Sequence, residues 1–529
     1  MLRKILTRGK DETVFQLVYF YGICLMLISL PNSIYFVSVA QILMGANWLA
    51  EGQYREKFNR FLSNRPALVI SSIYLIYLIG IFWTENLAYG IGYDLLNKLP
   101  LLTLTFLLAS SRPLPQHRLN ALPVIFSLAV LVTSFIGLAI FLNNPFIDPR
   151  KYSPFVSHVY LGMMVVLTIF LLPLTVSRIT LERKWFSLSL GVSAWLLIYL
   201  IILGSLTGFL CLLGGLLFLL IREIFLAAST SRKIFAAATL VFGVAAVLAL
   251  LIFVARPVLK TVNPDPATLS EKTSLGNEYL HDFDENQREN GHLVYYFIAE
   301  DELMDAWNER SQIASDSLDF KGQEVRATIF RYLSSKGLRK DREGINDLNN
   351  EDIEAIENGV PNYLYTKWPN VLVRLHQSFW EVNEYIRKGN PSGHTFTQRL
   401  ELWKASWVAF KKHPVKGWGT GDVFAAMDYG LNEINSQLDN FRMKPHNQFL
   451  ILLIMLGVPG LVLFFGLVFL FVRFSKAYRF LPFNIMLVIV LVAMLGNNLI
   501  DFQIGLTFFL FFSLFFGILY RNVANSQNH

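Results

Sequence analysis

The residues best suited to chemistry lie in one stretch, between Arg399 and Gly460. Arg399 stands four residues before Trp403, and His446-Asn447 opens a long apolar run. An arginine grips phosphate oxygens bidentately and keeps its charge, while a histidine with an unperturbed pKa near ~6.5 accepts a proton at neutral pH. This combination suits a group transfer in which a hydroxyl loses its proton and a phosphate group leaves.

Each part of this stretch also has a purely structural interpretation. Arg399 and Trp403, one helical turn apart, would form an anchor pair at a membrane interface. His446 would cap the helix that follows it. Gly417–Gly421 would form a tight turn, and it is not a phosphate-binding P-loop because no Lys-Ser/Thr follows the last glycine.

The order of the parts is more specific than any one of them. The pattern is Arg-x-x-x-Trp, His-Pro, Gly-x-Gly-x-Gly, His-Asn and, after nine residues, Gly-x-x-Gly. These elements are Arg399 to Trp403, His413-Pro414, Gly417 to Gly421, His446-Asn447, and Gly457 with Gly460. The stretch 398–460 resembles the shared C-terminal region of the bacterial O-antigen ligase and O-antigen polymerase superfamily.

The resemblance implies a glycosyltransferase of the cell envelope that makes lipopolysaccharide or a related polysaccharide. Such an enzyme takes a glycan from a polyprenyl (undecaprenyl) pyrophosphate donor and passes it to an acceptor hydroxyl, on lipid A core or another acceptor. A polymerase that joins lipid-linked repeat units shares the motif and stays open as the alternative. A flippase for lipid-linked glycans is less favoured, because the sequence shows no pseudo-symmetric halves. A docking protein that uses the acidic segment 265–357 would not explain the motif.

The predicted catalytic residues are His446, as base toward the acceptor hydroxyl, and Arg399, as the cation at the donor pyrophosphate. Asn447, Gln448 and Asp501 are predicted to bind or orient the acceptor. Asp501 also has a solvated, interfacial interpretation, because it lies in a short turn between two apolar runs.

One feature departs from the superfamily. Its members commonly carry a Ser-Arg pair near the outer end of an earlier span, whereas this chain has Gly204-Ser205-Leu206-Thr207-Gly208 there. Lys98, Arg374 and Arg442 are the candidates for a substitute cation at the pyrophosphate. No cofactor is expected, and Asp282-Phe283-Asp284 is a weak metal motif within an acidic stretch. We therefore predict a metal-independent, inverting transfer.

The composition identifies what must position these residues. Of 529 residues, 53% are hydrophobic and 16% charged, with a mean hydropathy of +0.43, which excludes a soluble globular enzyme. Cys24 and Cys211 lie inside apolar runs, so they provide neither a disulfide framework nor a metal site. Twelve apolar stretches are long enough to cross a bilayer. They are 13–30, 33–49, 67–83, 95–110, 121–142, 156–177, 185–203, 205–221, 234–255, 446–472, 482–499 and 503–520.

The basic residues orient these stretches. With both termini inside, the outer loops between adjacent spans hold only Arg150 and Lys151. The inner segments hold twenty basic residues: Arg3, Lys4, Arg8, Lys10, Arg55, Lys57, Arg60, Arg65, Arg112, Arg118, Arg178, Arg183, Lys184, Arg222, Arg232, Lys233, Arg473, Lys476, Arg479 and Arg521. This asymmetry predicts a multi-pass membrane protein with cytoplasmic termini, and it removes the motive for a nucleic-acid partner. The resemblance implies that the membrane is the bacterial inner membrane.

The predicted fold class is thus an all-α polytopic membrane protein with about twelve transmembrane helices. Residues 1–255 form an N-terminal transmembrane region, 256–445 a large periplasmic insertion between the ninth and tenth helices, and 446–529 a C-terminal transmembrane region. The insertion is predicted to be mainly helical, with helices near 297–315, 322–336, 350–358, 371–388 and 397–412. Its basic part, 367–416, indicates an anionic ligand, since the positive-inside rule does not explain basic residues there.

Overall fold

A computed structural model describes residues 12–438 and 442–520, apart from the side chain of residue 270. Within these residues the chain is helical except for loops and one two-stranded ribbon, which confirms the predicted all-α polytopic membrane fold class. The first ten helices are α1 Val14–Ser29, α2 Ile34–Glu51, α3 Tyr54–Ser63, α4 Arg65–Trp83, α5 Leu87–Ser110, α6 Gln116–Asn143, α7 His158–Ile179, α8 Arg183–Leu203, α9 Leu206–Leu226 and α10 Thr230–Leu259.

The remaining helices follow the ribbon, in which β1 (Arg288–Glu289) pairs antiparallel with β2 (His292–Leu293). They are α11 Glu300–Arg310, α12 Val325–Lys336, α13 Arg342–Asn346, α14 Asn350–Glu357, α15 Leu364–Lys367, α16 Asn370–Lys388, α17 Thr395–Lys412, α18 Val423–Glu433, α19 Gln448–Ser475, α20 Leu481–Gly496 and α21 Gln503–Leu519. The five helices predicted within the insertion coincide with α11, α12, α14, α16 and α17.

All twelve predicted spans coincide with helices. Among the described residues, eight helices are long and apolar enough to cross a bilayer, namely α4 to α10 and α19. The apolar helices α1, α20 and α21 are shorter. The number of crossings and the orientation of the chain stay predictions.

The chain divides into two compact units. Unit 1 contains the described residues of Met1–Leu138, Tyr152–Ala228 and Pro391–His529, and unit 2 contains Ala139–Lys151 and Ser229–Asn390. The domain boundaries predicted at 255 and 445 depend on membrane location, so they also stay predictions. The motif from Arg399 to Gly460 lies entirely within unit 1.

Unit 1 is built around α21, which is apolar on every side and buried from Ile504 to Leu519. A helix that is hydrophobic all round has no face suited to water, so it packs inside the protein or in lipid. Its phenylalanines pack edge-on and stacked against one another and against Phe126 of α6. The turn that precedes α21 contains Asp501, and the buried helix holds this turn in place.

Unit 2 has its own apolar core, formed mainly by α11, α12 and α14. Trp307 and Ile329 are fully buried there, together with Val294 beside the ribbon. Asn349 begins α14 with a reciprocal capping box to Asp352, which satisfies two backbone N–H groups at the helix start. This unit folds around side chains that are distinct from those of the motif.

Candidate functional site

The helix α17 carries Arg399 and Trp403 one turn apart, so the two side chains project from the same face. The indole Nε1 of Trp403 donates a hydrogen bond of 2.8 Å to the carbonyl oxygen of Pro445. A Cβ placed on Gly496 would lie 3.9 Å from a guanidinium nitrogen of Arg399. The Arg-x-x-x-Trp motif thus ties the backbone next to His446 to α17 and brings a guanidinium to the end of α20.

The glycine-rich turn packs against a kink in α19. Gly457 has φ 65°, a left-handed conformation inside the helix, so the carbonyl groups of the preceding turn lose their helical partners. The backbone N–H of Trp418 donates to Ile454 (2.8 Å), and that of Gly419 donates to Met455 (3.0 Å). The Gly-x-Gly-x-Gly and Gly-x-x-Gly motifs therefore form one structural joint.

The glycines of this joint permit close backbone contact. A Cβ on Gly417 (φ 70°) would lie 2.4 Å from the Met455 carbonyl, and one on Gly457 would lie 2.1 Å from the Val415 oxygen. Both positions need a residue that tolerates positive φ and has no side chain. This geometry supports the tight-turn interpretation of Gly417–Gly421.

Asp422, which the sequence analysis missed, fastens the same turn to the start of α5. Its carboxylate accepts hydrogen bonds from the backbone N–H of Glu85 (2.8 Å) and Asn86 (2.9 Å). The carboxylate is almost fully buried. Charge-assisted hydrogen bonds are the stronger ones, so Asp422, which directly precedes α18, holds the glycine-rich turn to the segment before α5.

The segment around His446 has an unusual backbone. His446 has φ 51°, a left-handed conformation that costs a non-glycine residue about 1 kcal/mol or more and that concentrates at functional sites. The side chain of Asn447 accepts from the N–H groups of Phe449 (3.0 Å) and Leu450 (3.1 Å). Asn447 is thus the N-cap of α19, and the interpretation of His446 as the cap is wrong.

The pKa of His446 also differs from that of an ordinary imidazole. Burial, and after it the positive charge of Arg399, lower the pKa of His446 from 6.5 to about 4. Both effects disfavour the protonated ring. His446 is therefore neutral at pH 7 and has a nitrogen lone pair available for a proton.

A pocket of about 230 Å³ opens beside His446. Its polar lining consists of His446, Arg442, Lys444, Asn498 and Asp501, and its other lining residues are Tyr89, Tyr93, Phe424, Met443 and Phe502. Tyr93 lies in a π-helical part of α5, Gly90–Leu95, and Tyr89 directly precedes this part. Single-turn π-helical segments within α-helices occur frequently at functional sites. Three of the predicted site residues thus line one cavity.

Beneath the pocket lies a buried ionic network that the sequence analysis missed in part. Lys444 Nζ lies 3.1 Å from Asp94 Oδ1 and 3.2 Å from Asp501 Oδ2, and Lys98 Nζ lies 3.0 Å from Asp501 Oδ1. Two lysines face two aspartates, so the formal charge of the network is zero. The solvated interpretation of Asp501 is wrong, because only 2% of this residue is exposed.

The charges of this network support one another. Burial alone would lower the pKa of Lys444, but the negative charges of Asp501 and Asp94 outweigh it and raise that pKa. Burial alone would raise the pKa of Asp501, but the positive charges of Lys444 and Lys98 outweigh burial and lower that pKa. A lysine with a raised pKa and an aspartate with a lowered pKa both stay charged at neutral pH. Lys444 was detectable in the sequence as a lysine two residues before His446 at the edge of an apolar run.

The other predicted residues occupy different surroundings. Lys98 is fully buried within the network and does not line the pocket. Gln448 is also buried, and its Oε1 accepts a 2.9 Å bond from the N–H of Ile500, which joins α19 to the turn before α21. Arg374 belongs to unit 2, where its guanidinium donates to Gln377 (3.1 Å). The assignment of Lys98 and Arg374 to the pyrophosphate stays a prediction.

The segment that lacks the superfamily's arginine has a local structural role. Ser205 is buried and caps α9 by accepting from the N–H of Gly208 (3.2 Å). Gly162 of α7 lies against this cap. Close helix packing therefore accounts for the small residues of Gly204–Gly208.

Across 12–438 and 442–520, no three His, Cys, Asp or Glu side chains gather in an arrangement that would hold a metal ion. In the weak motif of the acidic stretch, Asp282 accepts from the backbone N–H groups of Asp284 (3.0 Å) and Glu285 (3.1 Å). This bonding is an Asx turn, which gives the Asp282 side chain a local structural role.

With this geometry in hand, the comparisons with known proteins are informative. Residues 359–465 match the protein-family model described as O-Antigen ligase. A comparison with curated proteins found no match. The matched range contains Arg399, Trp403, His446 and the glycine joint, so the predicted relationship to the O-antigen ligase superfamily is confirmed.

Proposed function

We propose that this chain, a polytopic membrane protein with an O-antigen ligase domain, is a glycosyltransferase that passes a glycan from polyprenyl (undecaprenyl) pyrophosphate to an acceptor hydroxyl, such as one on lipid A core. The observation that carries this proposal is the pairing of Arg399 with a neutral His446, held by the Trp403–Pro445 hydrogen bond. A cation for the leaving group and a base for the attacking hydroxyl are the two groups that such a transfer needs.

In the proposed reaction, the acceptor oxygen attacks the anomeric carbon and the bond from that carbon to the pyrophosphate oxygen breaks. The hydroxyl proton goes to the imidazole of His446, and the polyprenyl pyrophosphate leaves with the bonding electrons. Attack on the face opposite the leaving group inverts the anomeric configuration. Arg399 and the exposed Arg442 at the pocket supply the positive charge that the departing oxygens require.

The donor itself would improve the base. Arg399 lowers the pKa of His446, and a bound pyrophosphate anion beside Arg399 would offset that charge. The pKa of His446 would then rise toward the value at which a base accepts protons efficiently near neutral pH. This coupling would prepare the base when the donor is present.

We also propose that Arg399 and Arg442 replace the divalent cation that pyrophosphate transfer often uses. Transfer by the purified protein should then proceed at the same rate in EDTA as in Mg²⁺. A rate restored only by added Mg²⁺ or Mn²⁺ would contradict metal independence and leave the roles of His446 and Arg399 to be tested separately.

The proposed location is the bacterial inner membrane, with both termini cytoplasmic and the segment 256–445 periplasmic. An impermeant thiol reagent should label single cysteines from outside at the exposed positions Asp301, Asn350 and Asn432, but not at the exposed positions Arg55 and Lys476. The reverse pattern would invert the topology and contradict a periplasmic reaction.

The decisive experiment compares His446→Ala with His117→Ala in a reconstituted transfer assay. His117 is an exposed histidine at the start of α6, so it provides a control for the loss of an imidazole. We expect His446→Ala to abolish transfer while donor binding and thermal stability persist, and His117→Ala to retain wild-type activity. Full activity per folded molecule of His446→Ala would refute the proposal.

A glycan analysis of a deletion strain decides between the ligase and the alternative polymerase. Loss of a ligase leaves long polymer on the carrier lipid. Loss of a polymerase leaves single repeat units attached to the acceptor. We expect the first result. The second result would mean that the same catalytic residues join repeat units and that the protein is a polymerase.

A further inference from the structure

Several buried polar side-chain atoms without a hydrogen bond belong to the pocket lining, to the ionic network or to residues next to them. Within the described ranges, one of them, Asp501 Oδ1, faces Lys98 Nζ at 3.0 Å, and five others make no hydrogen bond. They are Asn498 Oδ1, Asn497 Nδ2, Gln448 Nε2, Asp94 Oδ2 and Tyr77 Oη. Buried polar groups are normally paired, so such atoms indicate a place where a polar ligand or water completes the bonding.

Asn498 connects these atoms to the pocket. It lines the cavity, only 1% of the residue is exposed, and its side-chain oxygen has no donor among the described residues. Its backbone carbonyl accepts from the N–H of Asp501 at 3.2 Å, which makes the two residues one turn of the same wall. Lys444 completes this wall through its ion pair with Asp501.

The chemical types of these atoms select the ligand. Asn498 Oδ1, in the pocket lining, accepts hydrogen bonds and has no donor, whereas Asp94 Oδ2, Gln448 Nε2 and Asn497 Nδ2 belong to residues outside the lining. A hydroxyl group can donate to Asn498, so a polyhydroxyl group suits this position. At Asn498 a phosphate or carboxylate group is disfavoured, because the two aspartates would repel it and the two lysines are already engaged by them, while Arg442, the remaining cation of the lining, is assigned to the donor pyrophosphate.

The rest of the cavity suits the same ligand. Tyr89 and Tyr93 are stacked with centroids 5.0 Å apart, and Phe424 packs edge-on against Tyr89 at 5.3 Å. A sugar presents hydroxyl groups around an apolar carbon framework, so it can contact the aromatic residues and the polar wall together. The volume of about 230 Å³ is below the usual range for a drug-sized ligand, which fits one sugar unit rather than an oligosaccharide.

We propose that the wall of Asn498, Asp501 and Lys444 binds the terminal sugar of the acceptor, and that this sugar is uncharged. The inference rests on the proposed glycosyl transfer and defines its acceptor class. Asn498 is the specificity-determining residue, since it lines the cavity and its side-chain oxygen has no hydrogen-bond donor among the described residues. Lys444 is a positioning residue, which neutralises Asp501 and lies within 6 Å of the centres of the aromatic rings.

Binding is tested on the full-length protein in nanodiscs without donor. Saturation-transfer NMR would measure a methyl hexopyranoside against the matched hexose 6-phosphate and methyl hexuronate. The variant Asn498→Leu removes the oxygen, and Asn484→Leu provides a control in which the same change falls on α20 outside this pocket. We expect at least tenfold weaker binding of the neutral glycoside by Asn498→Leu only, and little competition by the charged sugars.

Two further measurements keep the outcome decisive. Tyr93→Ala alters a side chain that is 42% exposed, so it tests the aromatic side of the cavity even where Asn498→Leu lowers stability. We expect it to weaken neutral-sugar binding as well. In the transfer assay, Asn498→Leu should raise the acceptor KM at least tenfold and leave the donor KM unchanged.

Unchanged binding of the neutral sugar by both variants, or preferential binding of a charged sugar, would overturn the acceptor wall. The release of polyprenyl pyrophosphate by wild-type protein is recorded in the same preparations. A second outcome is that the wild type binds the neutral sugar, Asn498→Leu does not, and no donor is turned over. This outcome would overturn the proposed transferase function and leave a neutral-sugar site. The two failures are therefore distinguishable.

Discussion

The pH dependence of His446 tests whether its surroundings match the structure. In free protein the pKa of His446 is lowered to about 4, first by burial and then by Arg399. At pH 7 a group with this pKa is protonated in about one molecule in a thousand, whereas an unperturbed histidine is protonated in about a quarter of molecules. The base form should therefore dominate across the entire neutral range.

The kinetic consequence is large enough to measure. Because kcat/KM reports ionisations of the free enzyme, a base with the unperturbed pKa would lose about tenfold in rate between pH 7.5 and 5.5. With a pKa of about 4, the same base would lose less than about 10% over that interval. We expect a nearly flat profile in the reconstituted assay, with donor and acceptor each well below KM.

A direct titration locates the effect on the residue. NMR of ring-labelled histidine, with His446→Gln used to assign the signal, should show His446 titrating far below 6.5. Replacing Arg399 with Gln should raise this pKa only part of the way, because burial is the larger cause. A signal that titrates near 6.5 in the wild type, together with a tenfold loss of kcat/KM by pH 5.5, would refute the described burial of His446.

Protein stability must be followed over the same interval. A folded-state pKa below the unfolded value means that the unfolded chain binds more protons between these two pKa values. The resulting stabilisation is complete above about 6.5 and is lost as the pH falls toward about 4. Thermal unfolding of the wild type should therefore become easier on acidification, and His446→Gln should lack this contribution.

Three further changes have definite expected outcomes. Arg399→Lys keeps the charge but loses the bidentate grip, so transfer should fall more than tenfold if a contact worth about 1.5–3 kcal/mol is lost in the transition state; wild-type kcat/KM would contradict that role. Trp403→Phe removes the 2.8 Å bond to Pro445, and kcat should fall by about 2- to 12-fold for a loss of 0.5–1.5 kcal/mol, whereas an unchanged kcat would show that the bond does not position His446. Gly457→Ala places a Cβ 2.1 Å from the Val415 oxygen at φ 65°, so it should lower thermal stability markedly, while Gly466→Ala, which has open space around the glycine, should not.

Several properties of this protein could be predicted because they depend on composition or local order. Apolar runs long enough to cross a bilayer predicted the positions of the helices. Each spanning segment must by itself have apolar side chains and satisfy its own backbone hydrogen bonds, so this property can be read from local sequence. The motif from Arg399 to Gly460 identified the domain, and it brought Arg399 and His446 to attention as a pair. These residues are conspicuous in type and spacing, so no fold was needed to find them.

Other features depended on contacts between distant segments. Lys444 meets Asp94 across 350 positions and Asp501 across 57, and nothing local in the chain indicates that these charges are buried together. The sequence therefore predicted Asp501 either as an acceptor-binding residue or as a solvated residue at the membrane interface, and not as the partner of two buried lysines. Asn498 went unnoticed because an asparagine in a short turn is ordinary until its oxygen is found buried beside a cavity.

The residues near His446 show the same division within a few positions. The sequence alone determined that a histidine and an asparagine precede a long apolar helix, and it left open whether the histidine caps that helix or acts on the acceptor. Only the tertiary structure decided the capping residue, because Trp403 binds Pro445 from another helix and His446 adopts a left-handed backbone, which leaves the cap to Asn447. Residue types are written in the chain, whereas burial, charge pairing and the direction of a side chain arise when remote segments pack.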